Sequence, residues 1–192
     1  PRKVMCQDPS PDHAVTVWTY LRLTRMALPD IYPGIGAIDI KVLRAVDRSV
    51  YGSVTVHEST ILAAITAFKK SRRILELGTC DGNTPYKYAA HSPSDSRIVT
   101  VDLPFDWDGD LAIPVRGSMV NVTNRQTVGR QFREHDLARK VTQVYADSAQ
   151  LDWTSLGSPF DLIFIVGCPD YQYARRDTGN ALPCLAGDGI VV

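Results

Sequence analysis

Acidic residues and glycines follow short apolar segments of this chain, where they could hold a small ligand. Glu76, Gly78 and Gly82 form the pattern E-x-G-x-x-x-G after the apolar run Ile74–Leu77. Glycine allows a tight turn and a close approach of ligand to backbone. Asp102 follows about twenty residues later, the spacing at which a carboxylate meets a ribose hydroxyl in a nucleotide-binding βαβ unit. The pattern predicts a site for a ribose-containing cofactor.

The glycine spacing separates two classes of cofactor. Dinucleotide-binding proteins carry G-x-G-x-x-G, which this turn does not match. A nicotinamide-dependent oxidoreductase is therefore disfavoured. An ordinary tight turn between strand and helix is the alternative to a ligand site, but Asp102, at the place where a second ligand contact is due, favours the ligand.

Asp147 and Ser148 form a second candidate group after the segment 141–146, which has the composition of a strand. Open α/β folds bind their ligands at the carboxyl edge of the sheet, and these residues would lie at that edge. An acid there could accept a hydrogen bond from an adenine amino group. Capping of a helix explains the same residues equally well.

Three other positions have weaker interpretations. Glu58 completes a capping box with Thr55, so we interpret it as a helix cap rather than a catalyst. Trp107 could line a substrate pocket or lie exposed in its loop. Asp170, just beyond the fourth predicted strand, is a weak catalytic candidate.

The periodicity of apolar residues predicts an α/β fold that would position these residues. Strands are predicted at 74–77, 97–102, 141–146, 160–166 and 189–192. Helices are predicted from Thr55 to Phe68, from Thr84 onward, at 124–137 and at 171–185. We expect a Rossmann-like three-layer sandwich over residues 51–192, with a mostly parallel sheet around 74–77. Residues 1–50 are predicted to be a helical extension or cap.

Composition argues against several classes of partner, although it leaves a local basic patch open. Lys plus Arg and Asp plus Glu each number 21 in 192 residues, so the net charge is zero. This balance argues against broad binding to nucleic acid or to an anionic membrane. No apolar run approaches the ~20 residues of a membrane span, and no signal peptide is apparent. The four cysteines are scattered, which predicts free thiols and a cytoplasmic location.

From residue 51 onward the chain resembles a bacterial family of class I methyltransferases related to the small catechol-type O-methyltransferases. Enzymes of this class use S-adenosylmethionine, and E-x-G-x-x-x-G is their first motif. The matching segments are YGSVTVHE (51–58), ILELGTCDGNT (74–84), IVTVDLP (98–104), VGRQFR (128–133), ADSAQLDW (146–153), FDLIFIVG (160–167) and DYQYARRDTGNALPCLAGDGIVV (170–192).

This resemblance implies an S-adenosylmethionine site shared among several strand ends. The residues implied around the methionine part of the cofactor are Glu76, Gly78, Thr79, Asp81 and Gly82. The others implied are Asp102 at the ribose hydroxyls, Leu103 next to it, Asp147 and Ser148 beside the adenine, and the loop from Ser53 to Thr55 over the carboxylate end.

The chain departs from the family pattern in two places. Where relatives have Asp-Gly after the fourth strand, this chain has Val166-Gly167. In metal-dependent relatives that Asp is a metal ligand, whereas valine can neither bind a metal nor move a proton. We therefore expect no metal here. Relatives also continue through two more strands beyond Val192, so we expect an incomplete sheet whose last strand another segment, a second subunit or a partner covers.

The resemblance implies an S-adenosylmethionine-dependent methyltransferase acting on an unidentified small-molecule acceptor. The alternative is a catalytically impaired domain that keeps the cofactor pocket and acts through partners. Val166 and the departure after residue 192 motivate that alternative.

Overall fold

The computed structural model describes residues 26–43, 52–104, 106–107, 109–115 and 128–192. The chain forms two compact units, residues 1–36 and residues 37–192. In the first unit, the described residues contain the short helix α1 (Leu28–Ile31) and the start of a 3-10 turn at Ile35. Residues 1–25 and 44–51 lie outside the described part, so the extension or cap expected over 1–50 stays a prediction.

The second unit is built on a five-stranded parallel sheet. Its strands are β1 (Arg73–Leu77), β2 (Arg97–Asp102), β3 (Val141–Tyr145), β4 (Phe160–Ile165) and β5 (Leu185–Val191). The strand order is β3-β2-β1-β4-β5, and each neighbouring pair is parallel. The predicted central position of β1 is confirmed. All five carboxyl ends therefore meet at one edge of the sheet.

Helices cover both faces of this sheet and confirm the three-layer prediction. They are α2 (Val56–Lys69), α3 (Asn83–His91), α4 (Arg130–Arg133) and α5 (Tyr171–Ala181). One core cluster packs β1 residue Ile74 against Leu62 of α2 and Tyr88 of α3. The other packs Leu75 of β1 with Ala181 of α5. Because side chains alternate along a strand, β1 supplies apolar groups to both layers. None of the described helices is long and apolar enough to cross a membrane.

The capping box predicted at the start of α2 is present. Thr55 Oγ1 accepts the N–H of Glu58 at 3.2 Å, and the Glu58 carboxylate accepts the N–H of Thr55 at 2.7 Å. These hydrogen bonds lower the pKa of Glu58. Both side chains are exposed and bonded to each other, so Glu58 acts as a helix cap, as interpreted from the sequence.

The helix predicted over 124–137 is wrong in its extent, because only Arg130–Arg133 are α-helical among its described residues. Residues 124–127 lie outside the described residues, and α4 begins only after Gly129, which has φ 71°. A Cβ at Gly129 would lie 2.9 Å from the ring of Phe132, so a side chain and a right-handed helix are both excluded there. A 3-10 segment, Asp136–Lys140, then leads into β3.

Asp161 connects β4 to the start of β1. Its carboxylate accepts the backbone N–H groups of Arg72 at 2.6 Å and Arg73 at 2.9 Å. The side chain of Arg72 also forms an ion pair with Asp95. The Arg72 side chain is 62% exposed and the Asp95 side chain is 59% exposed. Asp161 therefore bonds to backbone N–H groups, whereas Asp95 forms an ion pair in solvent. Comparing the two shows how much each kind of contact contributes to stability.

We predict that Asp161→Ala lowers the free energy of unfolding by about 1–3 kcal/mol, because two N–H groups lose a charged acceptor. Asp95→Ala, the matched control, should cost less than about 1 kcal/mol, since exposed pairs contribute little. Urea unfolding followed by circular dichroism measures both. Equal losses of unfolding free energy in the two variants would contradict the stabilising role predicted for the backbone hydrogen bonds of Asp161.

Helix α5 carries a buried carboxyl group. Asp177 is 1% exposed. Its pKa is raised to about 6, chiefly by burial, and a hydrogen bond from Ser148 opposes the shift while the nearby Asp147 charge adds to it. Folding therefore favours the protonated form of Asp177.

The sign of the resulting pH effect follows from this raised pKa. The folded chain holds the Asp177 proton more tightly than the unfolded chain, so its contribution is complete below the ordinary pKa of about 3.8 and is lost as pH rises through about 6. Asp177→Asn should thus gain stability relative to wild type between pH 4 and pH 7. Urea unfolding at both pH values tests this, with the exposed Asp110→Asn as control. A constant difference between Asp177→Asn and wild type would contradict the prediction.

Candidate functional site

A cleft opens at the carboxyl edge of the sheet, where β1 and β4 end. It is lined by Gly52, Ser53, Val54, Gly78, Thr79, Cys80, Asp81, Asn83, Thr84 and Val166. The turn after β1, the first turn of α3 and the chain entering α2 thus meet at one place. Of the residues expected around a methionine group or its carboxylate, Ser53, Gly78, Thr79 and Asp81 line this cleft, whereas Thr55, Glu76 and Gly82 do not.

The backbone around Gly78 leaves no room for a side chain. Gly78 has φ 101°, and a Cβ built on it would lie 2.8 Å from both the Cα and the N of Gly167. Gly78 N–H donates to the Val101 carbonyl at 2.8 Å, and Val166 N–H donates to the Leu77 carbonyl at 2.9 Å. Neighbouring backbone therefore requires glycine at position 78.

Gly82 is required by packing against α4. Its φ is 86°, and a Cβ there would lie 2.7 Å from the Phe132 ring and 2.8 Å from the Cα of Gly129. The N–H of Gly129 donates to the Cys80 carbonyl at 3.0 Å. The N–H of Gln131 donates to the Asp81 carbonyl at 2.8 Å. Gly129 and the residues of α4 thus fix the turn from the side opposite β4. The close approach of a ligand expected at Gly78 and Gly82 stays a prediction.

Asp102 lies directly beside the glycine turn, as its spacing predicts. One carboxylate oxygen accepts the N–H of Cys80 at 3.0 Å, and the other accepts the N–H of Leu103 at 2.8 Å. Asp102 and Leu103 are both half-buried. The end of β2 is therefore tied to the turn after β1, and a carboxylate is held at the junction.

Glu76 lies beneath the cleft in a chain of polar groups, of which Glu76, Thr100 and Thr79 are buried and Gln143 is half-buried. Thr100 Oγ1 donates to Glu76 Oε2 at 2.8 Å, and Thr79 Oγ1 lies 2.7 Å from Thr100 Oγ1. Gln143 Nε2 in turn donates to Thr79 Oγ1 at 2.9 Å. Burial raises the pKa of Glu76 well above its usual range, with the Thr100 hydrogen bond opposing and the Asp102 and Asp81 charges adding. Glu76 supports the floor of the site.

Asp147 is occupied by hydrogen bonds from three directions. Its oxygens accept the Tyr173 hydroxyl at 2.9 and 3.0 Å, the N–H of Ala112 at 2.8 Å and the N–H of Ala149 at 2.9 Å. The side chain is 3% exposed. Asp147 thus fastens residue 112 and α5 to the end of β3, a contact between distant segments that the sequence did not predict.

The other candidate residues have mainly structural contacts. Ser148 bonds to Asp177 through its hydroxyl, and its carbonyl accepts Trp153 Nε1–H at 3.1 Å. Asp170 caps α5 by accepting the N–H of Gln172 at 2.9 Å. Burial raises the pKa of the Cys80 thiol to about 11, so this thiol is not a thiolate nucleophile at neutral pH.

Asn83 and Thr84 line the cleft, although the sequence prediction assigned them no role. Asn83 is 5% exposed, and its amide oxygen and nitrogen have no hydrogen-bond partner among the described residues. The sequence signal that could have identified Asn83 and Thr84 as lining residues is their position at the start of α3, directly after the glycine turn. Such a buried amide is unusual, because buried polar groups in folded proteins normally have a hydrogen-bond partner.

A metal-binding cluster is not evident in the ranges given above. Among those residues, no group of three or more His, Cys, Asp or Glu side chains is placed to hold a metal ion. Val166, at the position where metal-dependent relatives carry Asp, is half-buried and lines the cleft. The metal independence expected from this valine stays a prediction.

Solved methyltransferase structures share this fold. The O-methyltransferase TomG from Streptomyces achromogenes, determined with S-adenosylmethionine, superimposes with a TM-score of 0.55 at 21% identity, covering 72% of this chain and 55% of that chain. A methyltransferase from Geobacter sulfurreducens gives 0.55 at 16% identity, covering 73% and 60%. An O-methyltransferase from Bacillus cereus in complex with S-adenosylhomocysteine gives 0.52 at 20% identity, covering 92% and 69%.

The chain spans little more than half the length of the first two of these structures. No curated protein matches it. A family model for a methyltransferase domain matches residues 75–192. That match includes the glycine turn, Asp102, Asp147 and all of β2 to β5. Because it covers more than half of the chain, the chain belongs to this family of methyltransferase domains.

Proposed function

We propose that this chain is an S-adenosylmethionine-dependent methyltransferase domain acting on a small-molecule acceptor. The hydrogen bond between Cys80 N–H and Asp102 carries the proposal, because it places the carboxylate expected at a ribose beside the glycine turn. Membership of the methyltransferase family supports the same cofactor. Relatives of the same fold were determined with S-adenosylmethionine and S-adenosylhomocysteine.

The residues present fit this cofactor by offering polar groups for its amino-acid end, its ribose and its adenine. The cleft beside Gly78 and Thr79 offers the unpartnered Asn83 amide to the amino-acid end, together with Ser53 and Asp81. We assign the ribose to Asp102 with Leu103, and the adenine to the neighbourhood of Asp147 and Ser148. Glu76 and Gly82 contribute by shaping the turn, and Thr55 by starting α2.

If bound at these residues, S-adenosylmethionine would supply the methyl group of its sulfonium to an acceptor nucleophile, and S-adenosylhomocysteine would remain as the leaving group. The contribution of the protein is then mainly alignment of the two reactants. The turn after β1 is fixed by Gly167 on one side and Gly129 on the other, which makes it a rigid support for such alignment. Val166 adds an apolar wall to the cleft. The assignment of Asp170 as a catalytic group stays a prediction.

Removing the Asp102 carboxylate should weaken cofactor binding. Hydrogen bonds to a charged group contribute roughly 1.5–3 kcal/mol each, so Asp102→Ala should lower affinity for S-adenosylmethionine about 10- to 150-fold. Titration calorimetry measures this, with exposed Asp110→Ala as control. Unfolding temperatures without ligand separate a binding loss from damage to the Cys80 contact.

Unchanged affinity in Asp102→Ala would contradict the ribose assignment. A parallel titration of wild type with NAD distinguishes the cofactor class. Binding of NAD without binding of S-adenosylmethionine would overturn the proposed function. Binding of S-adenosylmethionine without methyl transfer to any acceptor would instead favour an impaired binding domain.

Methyl transfer should not require a divalent metal held after β4. Hard cations such as Mg²⁺ need oxygen ligands, and the Val166 side chain supplies none. Once an acceptor is found, activity with EDTA should equal activity with added Mg²⁺ or Mn²⁺. Loss of activity on chelation and its recovery on adding metal would show that other residues rebuild a metal site. Val166→Asp, tested in the same assay, would report whether a carboxylate there creates metal dependence.

A further inference from the structure

Tyr173 joins segments that are far apart in the chain. It lies in the first turn of α5 and is 3% exposed. Its hydroxyl donates to Asp147 Oδ1 at 3.0 Å and to Oδ2 at 2.9 Å, and its oxygen accepts a backbone hydrogen bond from Ile113. Asp147 itself accepts the N–H of Ala112 at 2.8 Å. One buried pair of side chains therefore holds two consecutive residues of the segment 109–115.

The segment 109–115 depends on such contacts for its place. It follows β2 and contains neither helix nor strand. Backbone groups in an irregular segment have no ladder partners, so side chains or water must satisfy them. Asp147 follows β3 and Tyr173 follows β4, so both attach the segment at the carboxyl edge of the sheet. The proposed cofactor site lies at the same edge.

The hydroxyl of Tyr173 is suited to hold a carboxylate. Burial raises the pKa of Tyr173, the hydrogen bond to Asp147 and its charge add to the shift, and the bond from Ile113 opposes it. The hydroxyl therefore remains a donor at neutral pH. A phenolic oxygen can donate and accept at the same time, so the contacts with Asp147 and Ile113 are compatible.

The same contacts occupy both oxygens of Asp147. Oδ1 accepts from the Tyr173 hydroxyl and from the N–H of Ala149, and Oδ2 accepts from the same hydroxyl and from the N–H of Ala112. An ionised carboxylate has about four lone-pair sites, and each oxygen here already has two contacts. For Asp147 to accept from an adenine amino group, one of these partners would have to leave.

We propose that Tyr173 is a positioning residue, which holds Asp147 and residues 112–113 together as a wall of the cofactor site beside the adenine. In this arrangement Asp147 fastens the wall and does not accept from the adenine amino group. The inference rests on the proposed function for the place of the adenine. It extends that function to a residue of α5 that acts through Asp147 and the segment 109–115.

Amide hydrogen exchange of the ligand-free protein tests the attachment itself. Tyr173→Phe removes only the hydroxyl, so the amides of Ala112 and Ile113 should exchange about tenfold faster than in wild type. Tyr171→Phe makes the same change on the same helix at a residue that is 75% exposed, and it should leave both rates unchanged. In wild type both amides should exchange slowly, a measurement that needs no variant to fold.

Two ligands that differ only at the adenine amino group test the role of Asp147. S-adenosylhomocysteine carries this group, and S-inosylhomocysteine has an oxygen in its place. In calorimetric titrations Tyr173→Phe should bind both about 3- to 10-fold more weakly, because binding must then order the segment 109–115. The ratio of the two dissociation constants should stay that of wild type in Tyr173→Phe and in Asp147→Asn. Tyr171→Phe should change neither affinity.

The outcomes separate the attachment, the wall and the cofactor. Fast exchange of the Ala112 and Ile113 amides in wild type, or unchanged exchange in Tyr173→Phe, would overturn the attachment. Unchanged affinities in Tyr173→Phe would overturn the wall. A shifted ratio of dissociation constants in Asp147→Asn would show that its carboxylate contacts the amino group, which would overturn its role as a fastening. Failure of wild type to bind either ligand would overturn the proposed function, while the exchange rates would still decide whether Tyr173 holds the segment.

Discussion

The backbone of Gly78 lies against the backbone of Gly167, and the arrangement of the site depends on this contact. A Cβ on Gly78 would lie 2.8 Å from Gly167, a separation that real Cβ atoms do not adopt. The contact lets the turn after β1 cross the end of β4 while Val166 N–H still bonds to the Leu77 carbonyl. With α4 pressed on the other side of the turn, the first residues of α3 have a fixed place beside Asp102. Positioning of a ligand by the protein requires such rigidity.

Beneath this turn, four polar side chains replace the apolar groups usual in a central parallel sheet. The chain runs from Gln143 through Thr79 and Thr100 to Glu76, so that the strands β1, β2 and β3 are joined by side chains as well as by backbone. A fully buried carboxyl is costly when charged, and the raised pKa of Glu76 indicates that it stays protonated more readily than usual. Glu76 therefore supports the turn through its hydrogen bond to Thr100, which in turn bonds to Thr79. The residues of the turn itself line the cleft.

Sequence patterns predicted what depends on neighbouring residues along the chain. The strand positions, the capping box of α2 and the proximity of Asp102 to the glycine turn follow from local periodicity and motif spacing. Contacts between distant segments were missed. The packing around Gly129 shortens the helix before β3, and residues far apart in the chain donate hydrogen bonds to Asp147. The strand β5 also begins at Leu185 rather than at Gly189. Asn83 was missed for a related reason, because burial without a partner is a property of the folded chain alone.

These differences bear on how a functional residue is distinguished from a structural one. Gly78, Gly82 and Asp147 are consistent with ligand binding by position, yet each is already required by protein contacts. The amino-acid types at these three positions therefore give little information about which ligand the cleft binds. Asn83 is the opposite case, since the described protein gives its amide no partner and folding alone does not explain its burial. Lack of a hydrogen-bond partner is not sufficient by itself, because Glu76 Oε1 and Tyr88 Oη in the core also have none among the described residues. The Asn83 amide indicates a ligand only because it combines this lack of partners with a place in the lining of the cleft.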